Sequence, residues 1–174
     1  PNATRSLKDG RAAVKVFPTD LADKLLLAGF EAEVWMQPGV TESNLFDHMA
    51  EFYRSPPEAR RVALVLGAGN VASIGPLDMI HKLFVEGQVS LLKLNPVNEY
   101  LGPFIEEAFG RLIADGFVEV AYGGADVGDY LCQHPDIDEI HITGSDRTHD
   151  IIVFGSGDEG AAAKAKGEAR NDKR

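Results

Sequence analysis

Residues 62–103 read VALVLGAGNVASIGPLDMIHKLFVEGQVSLLKLNPVNEYLGP, and the order of features in this stretch decides the fold. An apolar run (Val62–Leu66) meets a glycine-rich turn (Gly67, Ala68, Gly69, Asn70). A helical pattern follows over Ser73–Phe84, then a second apolar run over Val89–Leu94. Continuous apolar strands separated by a helix make a βαβ unit whose strands are buried on both faces. In open α/β sheets ligands bind outside the carboxyl ends of the strands, where this turn lies. Gly67–Ala72 also fits G-x-G-x-x-G/A, in which glycines let the backbone turn sharply and approach a pyrophosphate held by helix amides. The acidic residue expected about 20 residues on, to hold a ribose hydroxyl, is missing. The second run ends instead in Lys93, Leu94 and Asn95, and a lysine there suits ribose hydroxyls or a 2′-phosphate. The plainer alternative is a glycine turn needed only for chain geometry.

Working outward, the strand–helix rhythm continues. Asn98 is placed to cap a helix over Glu99–Ala114, interrupted early by Gly102-Pro103. Phe117–Tyr122 reads as a strand, Gly123-Gly124 as its turn, Ala125–Gln133 as a short helix and Ile137–Ile142 as another strand. Thr143-Gly144-Ser145 closes that strand, and Thr148–Phe154 continues apolar. Four strands alternating with helices predict a Rossmann-like open parallel sheet with helices on both faces over residues 58–155.

Residues 1–57 read as an amino-terminal layer packed on that core, not an independent domain. Ala12–Phe17 is an apolar island, Thr19 or Asp20 caps a helix over Leu21–Ala28, and Glu31–Met36 alternates as a strand. Thr41 or Ser43 caps a second helix through Tyr53, with Leu45, Phe46, Met49 and Phe52 as its apolar face. Residues 156–174 are small and charged, and read as a polar, flexible tail or a loosely held helix.

Composition narrows the function. The 174 residues suffice for one domain with a real core. A net charge of −10 argues against nucleic acid as a partner, because phosphate binding needs a basic face. No apolar run reaches the roughly 20 residues that span a membrane. A single cysteine, Cys132, rules out an internal disulfide and a multi-cysteine metal site, and a reducing cytoplasm is the simple reading.

Each candidate site has a plain rival. Gly144 and Ser145 suit a phosphate, and Thr143 and Ser145 are equally good helix caps; the cap is the preferred reading from residue type alone. Gly123-Gly124 reads first as a tight strand-to-helix turn. The Asn70 amide suits a developing oxyanion, and an asparagine is also tolerated at a left-handed turn position. His48, His81, His134, His141 and His149 have no metal-ligand spacing, so no metal site is expected. Asp136, Asp138 and Glu139 read as a solvated loop, and Cys132 as buried filler.

From Val62 to Phe154 the chain resembles the cofactor-binding domain of the aldehyde dehydrogenase superfamily. VALVLGAGNVASI is similar to that family's strand ending in an asparagine turn, and VSLLKLNP to its strand ending in lysine and a nearby proline. GFVEVAYGGADVGDYLCQHPDIDEIHITGS matches its run of strand, glycine turn, helix, His-Pro and Thr-Gly-Ser, and this third block is the most specific. The resemblance implies that Asn70 stabilises an oxyanion and that Lys93, with Asn95 beside it, contacts the adenosine ribose or its 2′-phosphate. It also implies that Thr143, Gly144 and Ser145 lie near the pyrophosphate, and that Gly123, Gly124 and Gly128 lie along the helix packed by the adenine. Gly67, Ala68 and Gly69 complete the expected cofactor site.

The function so implied is an oxidoreductase that takes NADP or NAD and oxidises an aldehyde to an acid or acyl thioester. The general-base glutamate and catalytic cysteine motifs of that family follow its Thr-Gly-Ser block, and this chain has neither. The expectation is therefore the amino-terminal, cofactor-binding portion, inactive by itself, acting on an aldehyde only with the missing half. A homo-oligomer is possible for the full-length form. Lys93 without a neighbouring acid leans the cofactor toward NADP. The rival is a stand-alone nucleotide-binding or regulatory module without catalysis.

Overall fold

Ala12–Phe17, the apolar island of the amino-terminal stretch, is the middle strand of a small antiparallel sheet in the computed structural model, which describes residues 3–56 and 60–173. The chain divides into two compact units, Pro1–Ser55 and Pro56–Arg174. In the first, β1 (Thr4–Ser6), β2 (Ala12–Phe17) and β3 (Ala32–Trp35) pair in the order β1-β2-β3, with Thr4 opposite Val14 and Ala13 opposite Trp35. Its core is Ala12, Val40 and Leu45, packed by Val14 and Met36. The first fifty-odd residues thus have a sheet and a small core of their own. Asp20 is the cap of α1 (Leu21–Leu26), accepting from the Asp23 amide at 2.8 Å.

The second expected helix of this unit does not form as one piece. A 3-10 turn spans Leu45–His48, Met49 is extended, Ala50 has φ +53°, and α2 is only Glu51–Arg54. Asn44 is the cause at the start: its Oδ1 accepts from the Thr41 amide at 2.6 Å and its Nδ2 donates to the Gly39 carbonyl at 3.1 Å. A side chain that satisfies the turn competes with helix propagation. Of the expected apolar face Leu45 is buried, while Phe46 and Met49 are exposed.

The second unit is built on β4 (Val62–Leu66). It is followed by α3 (Ile74–Phe84) and then β5 (Val89–Lys93), which pairs in parallel with β4, Val62 opposite Val89 and Leu66 opposite Lys93. The βαβ unit therefore stands as read. The long helix expected after it does not: Pro96–Leu101 is 3-10, α4 covers Gly102–Ala108 and α5 covers Gly110–Ala114. The cap is Asn95, not Asn98; its Oδ1 accepts from the Val97 amide at 3.1 Å. Pro96 directly after it favours a helix start there. β6 (Val118–Ala121), α6 (Ala125–Gln133), β7 (Glu139–Ile142) and α7 (Asp146–Phe154) complete the rhythm.

All pairings in this sheet are parallel, in the order β6-β5-β4-β7. The two faces are covered by different helices. Val65, Leu92, Val118 and Val120 pack with Met79 and Ile80 of α3, Ile105 of α4 and Leu112 of α5. Leu64, Leu66, Leu91 and Ile140 pack with Leu131 and Cys132 of α6 and Ile152 of α7. Alternation along β4 sends Leu64 to one face and Val65 to the other, and both are fully buried. The unit is α/β with a four-stranded parallel sheet flanked by helices.

The solvated-loop reading is corrected at Glu139, while Asp138 is exposed and precedes β7. Asp138 accepts from the Val62 amide at 2.8 Å, and Glu139 is buried, ion-paired to Lys82 and to Arg61 at 3.3 Å, and hydrogen-bonded by Gln88 at 2.8 Å. Of the two readings of residues 156–174, a flexible tail or a loosely held helix, a helix is what forms over Gly157–Lys166, here α8. The chain beyond α8 returns: the Asn171 side chain donates to the Cys132 carbonyl at 2.8 Å, and the Arg170 amide to the Val153 carbonyl at 2.7 Å. Small, polar residues suffice here because the contact is made by hydrogen bonds and by Gly160 buried against Gly155, not by large apolar side chains.

Candidate functional site

The chain leaves β4, adds β5 and β6 on one side, and returns to place β7 on the other side of β4. The strand order therefore reverses between β4 and β7. At such a switch point the loops leaving neighbouring strands diverge to opposite faces and open a crevice at the carboxyl ends. A cleft of about 630 Å³ lies there. Gly67–Asn70 after β4, Lys93–Pro96 at the end of β5, and Ile142–Ser145 after β7 line it, with Ile74, Ala125 and Thr148. Its volume falls within the range of small-molecule sites, about 300–1,000 Å³.

Nine of the residues singled out in the sequence meet in this cleft: Gly67, Ala68, Gly69, Asn70, Lys93, Asn95, Thr143, Gly144 and Ser145. Gly123, Gly124 and Gly128 do not line it. Gly123 has φ +116°, a conformation glycine adopts without strain, and its amide donates to Glu99 Oε1 at 2.5 Å. Gly128 lies in α6, and a Cβ there would meet nothing within 4 Å.

The glycines of the β4 turn serve the fold directly. A Cβ on Gly67 would come 3.2 Å from the Lys93 carbonyl and the Asn95 amide, and one on Gly69 would come 3.1 Å from the Asn95 side chain. The Gly67 amide already donates to the Lys93 carbonyl at 2.9 Å. The bare Cα positions of both glycines are thus occupied by the β5 turn. Helix α3 starts only at Ile74, several residues past the glycines.

Asn98 was read from sequence as a cap and is the residue the sequence reading missed. It is buried, and its Nδ2 donates to the carbonyls of Ala68 at 2.9 Å and Gly69 at 3.3 Å. The glycine turn is therefore held by both asparagines of the Asn95-Pro96-Val97-Asn98 stretch, Asn95 by packing and Asn98 by hydrogen bonds. The signal was present as an asparagine three residues past another across a proline, but its partner lies 30 residues upstream. Asn70, next along this braced turn, is exposed at the cleft and has no hydrogen-bond partner among the described residues.

Lys93 is the charged group of the cleft wall. It is 6% exposed, and its ammonium makes no hydrogen bond or ion pair among the described residues. Burial pushes its ammonium below the ordinary lysine value, and the negative charges of Glu99 and Asp126 oppose that shift. Glu99 belongs to the 3-10 turn after β5 and Asp126 to the first turn of α6. The stem is buried while the ammonium keeps contact with the cleft, where a ligand oxygen can accept its hydrogen bonds.

At the β7 side, Ser145 caps α7, accepting from the Thr148 amide at 3.2 Å. The cap reading of Ser145 therefore holds, and the same residue lines the cleft. Thr143 donates its hydroxyl to Asp78 Oδ2 at 2.9 Å, which also receives His141 Nε2 at 3.3 Å. The Arg147 amide is taken by Asp146 Oδ1 at 2.8 Å, while the Asp146 amide has no partner among the described residues.

Cys132 is distant in role as well as in sequence. It is 3% exposed, packed with Leu64 and Ile137, and burial above all, with the charge of Asp129, pushes its thiol up to about 11. Among the described residues no group of three or more His, Cys, Asp and Glu converges on a point that would hold a metal ion. None of the helices among them is long and apolar enough to cross a membrane.

Comparison with known proteins adds no assignment: no family model, no curated protein and no solved structure matches the chain.

Proposed function

We propose that this chain is the dinucleotide-binding portion of an aldehyde dehydrogenase-like oxidoreductase, which oxidises an aldehyde to an acid or acyl thioester. The observation that carries the reading is Lys93, a largely buried side chain whose ammonium has no hydrogen-bond partner among the described residues and opens on a cleft at the switch point of a parallel sheet. Nicotinamide dinucleotides fit such a place because their ribose hydroxyls accept from an amine and their pyrophosphate suits free amides at a helix start.

The residues present would share the work as follows. Lys93 Nζ would donate to the adenosine ribose. Ser145 and the Asp146 amide at the start of α7 would face the pyrophosphate, helped by the positive end of the helix dipole. Asn70, exposed on a turn fixed by Asn98, would donate its side-chain N–H to a carbonyl oxygen that gains charge during reaction; one such donor typically contributes about 3–4 kcal/mol to lowering a barrier. The dinucleotide itself would supply the hydride acceptor. Nucleophile and base would come from outside residues 1–174, since no residue here combines a reactive thiol with this cleft.

An ordinary Rossmann loop over Gly67-Ala68-Gly69 is a poorer reading, because the β5 turn fills the space both glycines leave and the Gly67 amide is already bonded. Hydrogen exchange with and without ADP-ribose tests the proposal. Protection concentrated at residues 144–148 and 93–95 is the expected pattern; protection confined to residues 67–69, or none, contradicts it.

A further inference from the structure

The small sheet of the first unit carries a second cavity. Arg5, Ala13 and Trp35 stand opposite one another on β1, β2 and β3, so their side chains share one face in a single row. Arg5 and Trp35 thus flank a residue that ends at Cβ, two strand spacings or about 10 Å apart at the backbone. Both line a cavity of about 380 Å³, together with Leu7, Lys8, Asp9 and Arg11 from the turn that joins β1 to β2. Trp35 is 59% exposed, and its indole N–H donates to Glu33 Oε2 at 3.2 Å, which tethers the ring while leaving much of its surface open. Arg5 donates Nε and Nη2 to the two Glu33 oxygens at 2.9 and 2.6 Å. Arg11 donates Nε to Asp9 at 2.7 Å and Nη1 to the Met36 carbonyl at 3.3 Å. Arg5 Nη1 and Arg11 Nη2 have no partner among the described residues, and neither does the ammonium of the exposed Lys8.

We propose that this cavity binds a planar aromatic carboxylate, with its ring on the Trp35 indole and its carboxylate on Lys8 and Arg11. Charge sets the anion. Glu33 balances Arg5 and Asp9 balances Arg11, so Lys8 is the one cation left over. One surplus positive charge matches a carboxylate, whereas a phosphate ester brings close to two negative charges. The tethered indole sets the shape, because it offers a flat surface for a ring to stack on. Leu7 and the methylene stems of Lys8, Arg5 and Arg11 supply the apolar remainder of the wall. The volume lies within the small-molecule range of about 300–1,000 Å³. In a chain of net charge −10, residues 1–17 carry four cations, Arg5, Lys8, Arg11 and Lys15, against Asp9 alone. That local excess draws an anion to this face. The site lies wholly within the first unit and does not depend on the dinucleotide reading.

Trp35 is the only tryptophan of the chain, so its indole N–H gives a single resonance in a proton–nitrogen correlation spectrum and reports on this site alone. Titration of the full chain with naphthoate is expected to shift that resonance saturably. Cyclohexanecarboxylate keeps the charge without the aromatic ring, and naphthalenemethanol keeps the ring without the charge; each is expected to bind about tenfold or more weakly. Naphthyl phosphate is expected to bind no more tightly than naphthoate. Lys8→Gln alters an exposed side chain without a partner among the described residues, so the fold is expected to persist. That variant is expected to weaken naphthoate about threefold or more, and raised salt to weaken it in the parent. An indole resonance that naphthoate leaves unmoved overturns the proposal. So does an equal response to naphthalenemethanol, or equal affinity in Lys8→Gln. Tighter binding of naphthyl phosphate overturns the choice of a carboxylate.

Discussion

Asn98 Nδ2 donates to the Ala68 carbonyl at 2.9 Å across 30 residues of sequence, and this bond joins the turn after β5 to the turn after β4. Both turns line the cleft, so its shape depends on one buried side-chain amide. Asn98→Ala leaves the Ala68 and Gly69 carbonyls with lost partners in a buried setting. The expected cost is about 1–3 kcal/mol in a urea melt. Dinucleotide affinity is expected to fall further than Asn70→Ala makes it fall, because the turn itself loosens. A variant as stable as the parent contradicts the bracing role.

At the opposite end of the sheet, Lys82 is 5% exposed and hydrogen-bonded to Glu86 at 2.8 Å and to Glu139. Burial pushes the Glu139 carboxyl up, but hydrogen bonds from Lys82 and Gln88 with the charges of Lys82 and Arg61 outweigh it and hold it below 4.5. A lowered folded value means a contribution present above 4.5 and lost as pH falls through the folded value. Burial likewise pushes Lys82 down, and its bonds to Glu139 and Glu86 outweigh it, leaving it above 10.5. That contribution is present below 10.5 and lost as pH rises through the folded value. Thermal melts are therefore expected to show Lys82→Met losing about 3–5 kcal/mol near neutrality, with the deficit shrinking as pH falls below 4.5 and Glu139 takes a proton. A deficit independent of pH contradicts the pairing.

Gly160 of α8 is buried, and a Cβ there would overlap the Gly155 carbonyl group, which as backbone has little room to yield. Gly160→Ala is expected to undock α8 at a cost of about 1–3 kcal/mol. Limited proteolysis reads this directly: cleavage within residues 157–173 becomes fast in the variant and stays slow in the parent. Equal rates contradict the docked arrangement.

The Cys132 thiol, pushed up to about 11, is about a thousandfold short of thiolate at pH 8. A thiol reagent is expected to label it slowly in the native chain and promptly in denaturant. Prompt native labelling contradicts its burial between α6 and the sheet.

Much of the sheet was legible because local rules and the fold agree. Val62–Leu66 and Val89–Leu94 are continuous apolar runs, and burial on both faces requires that. The glycine turn and Ser145 were legible as residue types suited to a turn and a cap. What was not legible depends on partners remote in sequence. Glu139 reads as a loop acid until Lys82 and Gln88, more than 50 residues upstream, surround it. Lys93 reads as free of acids, and the charges of Glu99 and Asp126 act on it only in the folded chain. Residues 41–53 fail for a local reason: the apolar spacing is helical, but Asn44 satisfies the turn first and Ala50 takes a positive φ.

Calorimetric titration of the 174-residue chain with NAD, with Lys93→Ala beside it, tests the central claim most directly. The account predicts saturable one-to-one binding to the parent chain, weakened about tenfold or more in the variant while its melting temperature is retained, since the ammonium has no partner among the described residues to lose. A parent chain that melts cooperatively yet binds no dinucleotide, or binds it equally well without Lys93, contradicts the account.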